Sequence, residues 1–258
     1  MKRRLTTYFM CIVLILSGLD AAGQGKMYTR KVLLEDFPAK TMKVVSEGSS
    51  MTESALRSEV AAHWRISPYE FCSRSEYGKL SSDNSYYFLT MVQEGGVAFL
   101  MISKGGKEDE TDNSKKPFEV VRIPFANAVA PSGVELASMG ALIDVLQTFV
   151  EEATVSDHVA YGGLDAICAK SLSGKTVYTG DDAGDHLTAA QEGAVVGISV
   201  CPPEPEQKQK AACYKMLIAA DTHELFYYSK SRYRSEEDGT FSQAELKSFE
   251  RRNGTIAR

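Results

Sequence analysis

Residues 86–103 read YYFLTMVQEGGVAFLMIS, and they set the class of fold that we expect. Two apolar runs, Tyr86–Val92 and Val97–Ser103, flank Glu94-Gly95-Gly96, and glycines between such runs are typical of a hairpin turn. Both runs are apolar on consecutive residues, which is the pattern of strands that are buried on both faces. The sequence therefore predicts a sheet covered by helices.

Other runs along the chain also have strand character. They are Phe118–Phe125, Val195–Cys201, Cys213–Ala219 and Glu224–Ser229, with weaker patterns at Thr41–Val45 and Lys175–Thr179. Asp221-Thr222 lies between the third and fourth of these runs, so that pair is a second predicted hairpin.

Helix starts are marked by a serine followed three residues later by a glutamate, the capping-box pattern. The pattern occurs at Ser50–Glu53, Ser73–Glu76, Ser132–Glu135 and Ser242–Glu245, each time before apolar residues at helical spacing. The clearest amphipathic helix is predicted over Val134–Val155.

Together these elements predict an α/β or α+β protein with mixed sheets and covering helices. Helix, strand and hairpin follow one another on both sides of the long helix, which suggests two similar lobes, 24–156 and 157–258. The charged stretch 104–116 and the polar stretch 202–210 are expected to be solvated connections between strands.

The N-terminus has the pattern of a secretory signal peptide. A basic start, Met1–Arg4, precedes the uncharged run YFMCIVLIL, and small residues lead up to Gly23. The run is shorter than the roughly 20 residues that a membrane span needs. We expect a signal peptide at 1–23, cleavage after Gly23, and a mature protein in the periplasm or outside the cell.

The charge balance argues against nucleic acid as a partner. The chain has 29 basic and 34 acidic residues, and removal of 1–23 would leave 26 and 33, a net charge of −7. Phosphate backbones are bound by basic surfaces, so nucleic acid and anionic membranes are poor partners. No second long apolar segment occurs, and none is expected to cross a membrane after signal cleavage.

Four cysteines remain beyond the predicted cleavage point: Cys72, Cys168, Cys201 and Cys213. An even count in an oxidising compartment allows two disulfides in three possible pairings. Cys201 and Cys213 flank a short polar loop, which makes them the candidate disulfide. The alternative is that all four are small buried apolar residues.

Three phrases resemble a family of exported proteins from Bacteroides-group bacteria. They are KVLLEDFPAKTMKVV at 31–45, HWRISPYEFCSRSEYGKLSSDNSYYFL at 63–89 and CYKMLIAADTHELFYYSKSRYR at 213–234. The resemblance covers most of the predicted mature chain, with 67–71 and 214–228 its most distinctive parts. It implies export to the Gram-negative periplasm or beyond, and it implies no activity or ligand.

Cys72 and His63 are the weak catalytic candidates. Cys72 precedes a predicted helix, whose N-terminus would lower the pKa of the thiol, and His63 lies nine residues earlier. The alternative is that Cys72 is a packing residue beside the apolar Phe71. No Gly-x-Ser-x-Gly elbow, phosphate-binding loop or dinucleotide fingerprint occurs, and we expect no cofactor.

The weak metal candidates are Asp181, Asp182, Asp185 and His186, in the phrase TGDDAGDHL. Carboxylate oxygens with one imidazole can hold a divalent cation. The favoured alternative is a helix N-terminus, where acidic residues stabilise the positive end of the helix dipole.

Because the sequence has no strong catalytic signature, we expect an exported accessory protein that binds a protein partner or a small ligand. The alternative function is a cysteine-dependent hydrolase that acts on envelope or extracellular polymers. The pattern leans away from an enzyme without deciding the question, and it does not indicate the oligomeric state.

Overall fold

The protein has an α+β fold of two similar lobes, each built on one five-stranded mixed sheet. The computed structural model describes residues 34–108, 115–180, 182–204 and 211–257. Seven α-helices lie within this part of the chain. The predicted signal peptide at 1–23 lies outside the described residues.

The first lobe contains a sheet with the strand order β2-β1-β3-β4-β5. β1 is parallel to both β2 and β3, whereas β3, β4 and β5 are antiparallel neighbours. The bounds are β1 Thr41–Val45, β2 Tyr69–Cys72, β3 Tyr86–Glu94, β4 Val97–Glu108 and β5 Lys115–Asn127.

Strands β4 and β5 are longer than the sequence pattern predicts. The backbone pairing continues to Glu108 and Lys115, so much of the stretch 104–116 is strand and not loop. Main-chain hydrogen bonds between paired strands do not depend on apolar side chains. A prediction based on apolar runs therefore ended the two strands too early, where the charged residues begin. Residues 109–114 and 205–210 of the two predicted loops lie outside the described residues.

Two helices of the first lobe begin at predicted serine caps. Helix α1 spans Met51–His63 and helix α2 spans Arg74–Leu80. Ser73 and Glu76 form a reciprocal capping box. In α1 the Ser50 hydroxyl accepts from the Glu53 N–H, while the Glu53 carboxylate turns instead to Ser49.

The predicted helix Val134–Val155 is two helices, which corrects the expectation of one. Helix α3 spans Gly133–Ala137 and helix α4 spans Met139–Val155. They meet at Ser138, whose hydroxyl donates to the Glu135 carbonyl at 2.8 Å. Such a side-chain bond to a carbonyl of the preceding turn competes with the regular helix ladder. Helix α5, Asp157–Gly162, follows directly.

The second lobe repeats the arrangement of the first with the order β10-β6-β7-β8-β9. β6 is parallel to β10 and β7, and β7, β8 and β9 are antiparallel neighbours. The strands are β6 Thr176–Tyr178, β7 Ala194–Val200, β8 Ala212–Ala219, β9 Leu225–Arg232 and β10 Thr255–Ile256; the helices are α6 Ala183–Thr188 and α7 Gln243–Glu250.

The two sheets share one hydrophobic core, and α4 contributes eleven buried residues to the structure. Phe99 of β4 and Tyr214 of β8 meet edge to face, with ring centroids 5.3 Å apart. A second cluster on the other face of the second sheet includes Phe249 of α7. The second sheet is therefore covered on both faces, as consecutive apolar residues predict.

No helix among the described residues is long and apolar enough to cross a membrane. The proposed lobe boundary at 156/157 falls between α4 and α5, and the shared core packs across it.

Candidate binding groove and a histidine–carboxylate cluster

A groove of about 670 Å³ lies at the carboxyl ends of the parallel strands β1 and β3. Val45 ends β1, and Thr90–Gln93 form the second half of β3. The chain leaves β1 for β2 on one side and then crosses to β3 on the other side. In open α/β sheets a crevice forms at such a switch point, and ligands bind there.

One wall of the groove carries a buried carboxylate paired with an exposed cation. Glu53 is only 3% exposed, and its carboxylate accepts from the Ser49 N–H and hydroxyl, both at 2.9 Å. The Arg74 guanidinium donates to it at 2.8 Å. The bond from the Ser49 backbone is the main reason that the pKa of Glu53 is lowered. Glu53 is thus an anion that holds Arg74 at the rim.

The rest of the groove combines an apolar floor with hydrogen-bonding groups. Met91, Val92 and the buried Phe125 supply apolar surface, and Ser50, Thr52, Gln93 and Asn127 supply polar groups. The Arg74 side chain is 73% exposed. A pocket with an apolar body and a few placed polar groups is the usual form of a small-molecule site.

A second constellation joins His63, Asp144 and His223. The Asp144 Oδ2 atom lies 2.8 Å from Nδ1 of His63 and 2.7 Å from Nδ1 of His223. A carboxylate oxygen accepts, so both rings carry a proton on Nδ1. Burial alone would raise the pKa of Asp144, but hydrogen bonds from His223 and His63 outweigh it and the pKa is lowered.

Neighbouring side chains fix this cluster. Gln147 donates to Asp144 Oδ1 at 2.8 Å and to the His63 carbonyl at 3.0 Å, and accepts from the Arg65 N–H at 2.7 Å. The Glu59 carboxylate lies 3.5 Å from Nε2 of His63. The polar network is therefore anchored on both α1 and α4.

Of the two catalytic candidates, His63 belongs to this cluster, whereas Cys72 lies in β2 with 5% exposure. Burial raises the pKa of the Cys72 thiol, and the neighbouring Glu76 raises it further. A nucleophilic cysteine needs a lowered pKa. The burial and the raised pKa of Cys72 therefore favour the alternative interpretation, that Cys72 is a packing residue.

The acidic metal candidates lie at the start of α6. Asp182 is the residue before the helix, Asp185 lies in its first turn, and Asp181 lies outside the described residues. His186 contacts Asp182 at 3.6 Å and Gln191 at 2.5 Å, and its ring packs on Tyr178. Asp182 and Asp185 therefore lie at a helix N-terminus, as the alternative to a metal site proposed.

Cys201 and Cys213, the candidate pair, are joined by a disulfide in the structure. Cys72 and Cys168 are free thiols. Burial raises the pKa of Cys168 to about 12, so this thiol also stays protonated at neutral pH.

Sequence reasoning missed Asp144 and His223. Asp144 is separated from His63 by 81 residues and from His223 by 79 residues, so no local spacing reveals the cluster. One signal was available: Asp144 and Gln147 stand among the buried apolar residues of the run MGALIDVLQTFV in α4. A polar pair on a core helix indicates a buried hydrogen-bond network.

Comparison with known proteins gave no match, whether to a protein-family model, a curated protein or a solved structure. The resemblance to exported Bacteroides-group proteins remains a prediction.

Proposed function

We propose that this chain is an exported binding protein that holds a small organic ligand in the groove at the carboxyl end of the first sheet. One observation carries the proposal: a cavity of about 670 Å³ at the switch point between β1 and β3, with an ion pair on its wall. Its volume lies in the range of small-molecule sites, about 300–1,000 Å³.

The lining indicates the chemistry of the ligand. Met91, Val92 and Phe125 suit an apolar body. Arg74 has five N–H donors, and one hydrogen bond joins its guanidinium to Glu53. Planar guanidinium groups bind carboxylates in a two-pronged manner. We therefore expect a molecule with an apolar portion and one carboxylate.

Export to the periplasm or beyond, and the absence of nucleic acid as a partner, remain part of the proposal. The signal-like N-terminus and the acidic balance support them. A cysteine-dependent hydrolase receives less support, because the thiol of Cys72 is buried and its pKa is raised.

The proposal is tested with a panel of aryl- and alkyl-carboxylates and their matched amides, by calorimetry and ligand-observed NMR. Carboxylates should bind at least about tenfold more tightly than the amides, since a hydrogen bond to a charged group contributes about 1.5–3 kcal/mol. Replacement Arg74→Gln should remove this preference.

A matched pair of variants locates the site. Ala128 lines the groove and Val129 is its exposed neighbour outside the lining, so Ala128→Trp should abolish binding and Val129→Trp should leave it unchanged. Equal binding by both variants, or no binding by any carboxylate in the panel, would contradict the proposal.

A further inference from the structure

We propose that His63, Asp144 and His223 form a binding site for a divalent transition-metal ion, for which zinc is the natural probe. Each residue offers one ligand atom, and these three atoms all lie within 4.8 Å of one another. We assign Nδ1 of each histidine and Oδ2 of the aspartate, the atoms that are already in contact. The site is separate from the groove and does not depend on the groove's function.

The distances already approach those of a coordination sphere. The two Nδ1 atoms lie 2.8 and 2.7 Å from Asp144 Oδ2. Zinc at about 2.0–2.1 Å from each ligand places tetrahedral ligand atoms about 3.3 Å apart. The two Nδ1–Oδ2 distances therefore need to lengthen by only about half an ångström to admit the ion.

The environment of His63 is suited to coordination through Nδ1. When the ion takes the lone pair of Nδ1, the single proton of the neutral ring sits on Nε2. The Glu59 carboxylate, 3.5 Å from Nε2, can accept that proton's hydrogen bond. Such a carboxylate behind a histidine ligand is the usual outer support of a zinc site.

Gly140 makes room for this pair. A Cβ atom at Gly140 would lie 2.6 Å from the Glu59 carboxylate and 2.7 Å from Nε2 of His63. The glycine in α4 therefore allows the histidine and its supporting carboxylate to pack directly against the helix backbone.

Asp144 is held so that one of its oxygens faces the two rings. Its Oδ1 atom accepts from Gln147 Nε2 at 2.8 Å, and Arg65 lies 3.6 Å away. Gln147 is itself buried and bonded to the backbone of His63 and Arg65. Oδ2 is thereby directed toward the imidazoles.

His223 adopts a backbone conformation that points to a role for its side chain. Its φ is +56°, in the left-handed region, within the turn between β8 and β9. Glycine takes this conformation at lower cost than histidine. A histidine here places its ring against Asp144, which a glycine could not do, and strain of this kind clusters at functional sites.

The ligand set selects the kind of ion. Two imidazole nitrogens and one carboxylate oxygen suit zinc and related transition metals, whereas calcium takes 6–8 oxygen ligands. The three side chains are 23%, 22% and 19% exposed, so solvent can supply the remaining ligand. Three protein ligands with one open position are typical of zinc sites that bind a further molecule.

The ligands come from α1, from α4 and from the β8–β9 turn, so a bound ion would connect the first lobe to the second. An ion that binds only the folded chain stabilises it by mass action. We expect saturating zinc to raise the midpoint of thermal unfolding by several degrees.

The decisive variant is His223→Gly, which removes a ligand while relieving the left-handed strain. The protein, stripped with chelator, is titrated with ZnCl₂ by calorimetry, and the metal content is counted by mass spectrometry. Wild type should bind one zinc per chain, and His223→Gly should bind it more than about 100-fold more weakly while still unfolding cooperatively, because relief of the left-handed strain offsets part of the lost hydrogen bond to Asp144. His158→Ala, at an exposed histidine outside the cluster, should bind as wild type does.

Two further measurements complete the test. Glu59→Gln should weaken zinc binding by about tenfold through the support of His63. In unaltered protein, zinc should protect two of the four histidines from diethylpyrocarbonate, and they should be His63 and His223. No zinc binding by wild type, undiminished binding by His223→Gly, or protection of other histidines would overturn the proposal.

Discussion

The carboxyl ends of the parallel strands differ between the two lobes, although the sheets have the same arrangement. In the first lobe β1 and β3 end at an open groove. In the second lobe the ring of His186 packs on Tyr178 at the end of β6, with centroids 3.7 Å apart. Just beyond β7, Cys201 is bonded to Cys213 at the start of β8.

This difference shows what turns a switch point into a binding site. The strand order is the same in both sheets, but in the second lobe an aromatic pair and a disulfide lie at the corresponding strand ends. The outer parallel strand also has a different origin, since β2 is the next strand along the chain after β1, whereas β10 comes from the C-terminal end of the described chain. We infer that the first lobe carries the ligand site, because among the described residues its groove stays open at the ends of β1 and β3.

Loss of Phe249 should have the largest effect on stability. Its fully buried ring meets Tyr227 and Phe241 on the outer face of the second sheet. Phe249→Ala should lower the free energy of unfolding by about 3–5 kcal/mol, measured by urea denaturation. Met51→Ala, at an exposed site, is the control. Because the two lobes share a core, we expect Phe249→Ala to unfold in a single transition in urea. Separate unfolding of the second lobe at lower urea concentration would contradict the shared core.

Opening the disulfide should have the next largest effect. The bond joins residues 12 apart, and closure of a loop of about this size stabilises a fold by about 3 kcal/mol. A Cys201→Ser, Cys213→Ser double variant should therefore unfold at lower denaturant concentration. The control Cys168→Ser removes a free thiol; an equal loss in that variant would show that the disulfide has no special role.

Filling space should be costly at the closed end and cheap at the open end. A Cβ at Gly197 would lie 2.7 Å from the Phe241 ring and 2.9 Å from Thr179, so Gly197→Ala should cost about 1–3 kcal/mol. Ala128→Trp, whose added ring enters the open groove, should cost less than Gly197→Ala. Comparable losses in the two variants would remove the distinction between the ends.

The smallest effect concerns acid stability of the first lobe. Burial alone would raise the pKa of Asp36, but hydrogen bonds from Lys104, Lys40 and Tyr87 lower it to about 2. The unfolded value is about 3.9, so this stabilisation is present above pH 4 and is lost as the pH falls from 4 toward 2. In Asp36→Asn the thermal unfolding midpoint should fall less steeply between pH 4 and pH 2 than it does in the wild type. An unchanged slope would show that Asp36 is not the source of this acid sensitivity.

Local features of the sequence predicted local structure well. The four predicted serine caps are all present: Ser50, Ser73, Ser132 and Ser242 each accept from the expected backbone N–H, because a cap involves residues three apart. The break at Ser138 and the two-residue strand β10 were not predicted. The break depends on the hydrogen bond from the Ser138 hydroxyl, which competes with the helix ladder. Strand β10 forms only because it pairs with β6, about 80 residues earlier in the chain.

The candidate sites lay further beyond sequence reasoning than the fold did. The groove is formed where the end of β1, the second half of β3 and the start of α1 pack together. No sequence motif predicts that these three segments come together. The histidine cluster depends on contacts across 79 and 81 residues. His63 was named for a different chemistry, which shows that the residue type alone does not determine its partner.

The most direct test of the account is to map where a carboxylate from the panel binds. The tightest ligand is titrated into isotope-labelled protein, and the shifts of backbone amides are followed by NMR. We predict the largest shifts at Arg74, at Thr90–Gln93 and at Ala128. Shifts confined to the second lobe around Tyr178 and Val200, with the groove amides unmoved, would contradict the proposed site.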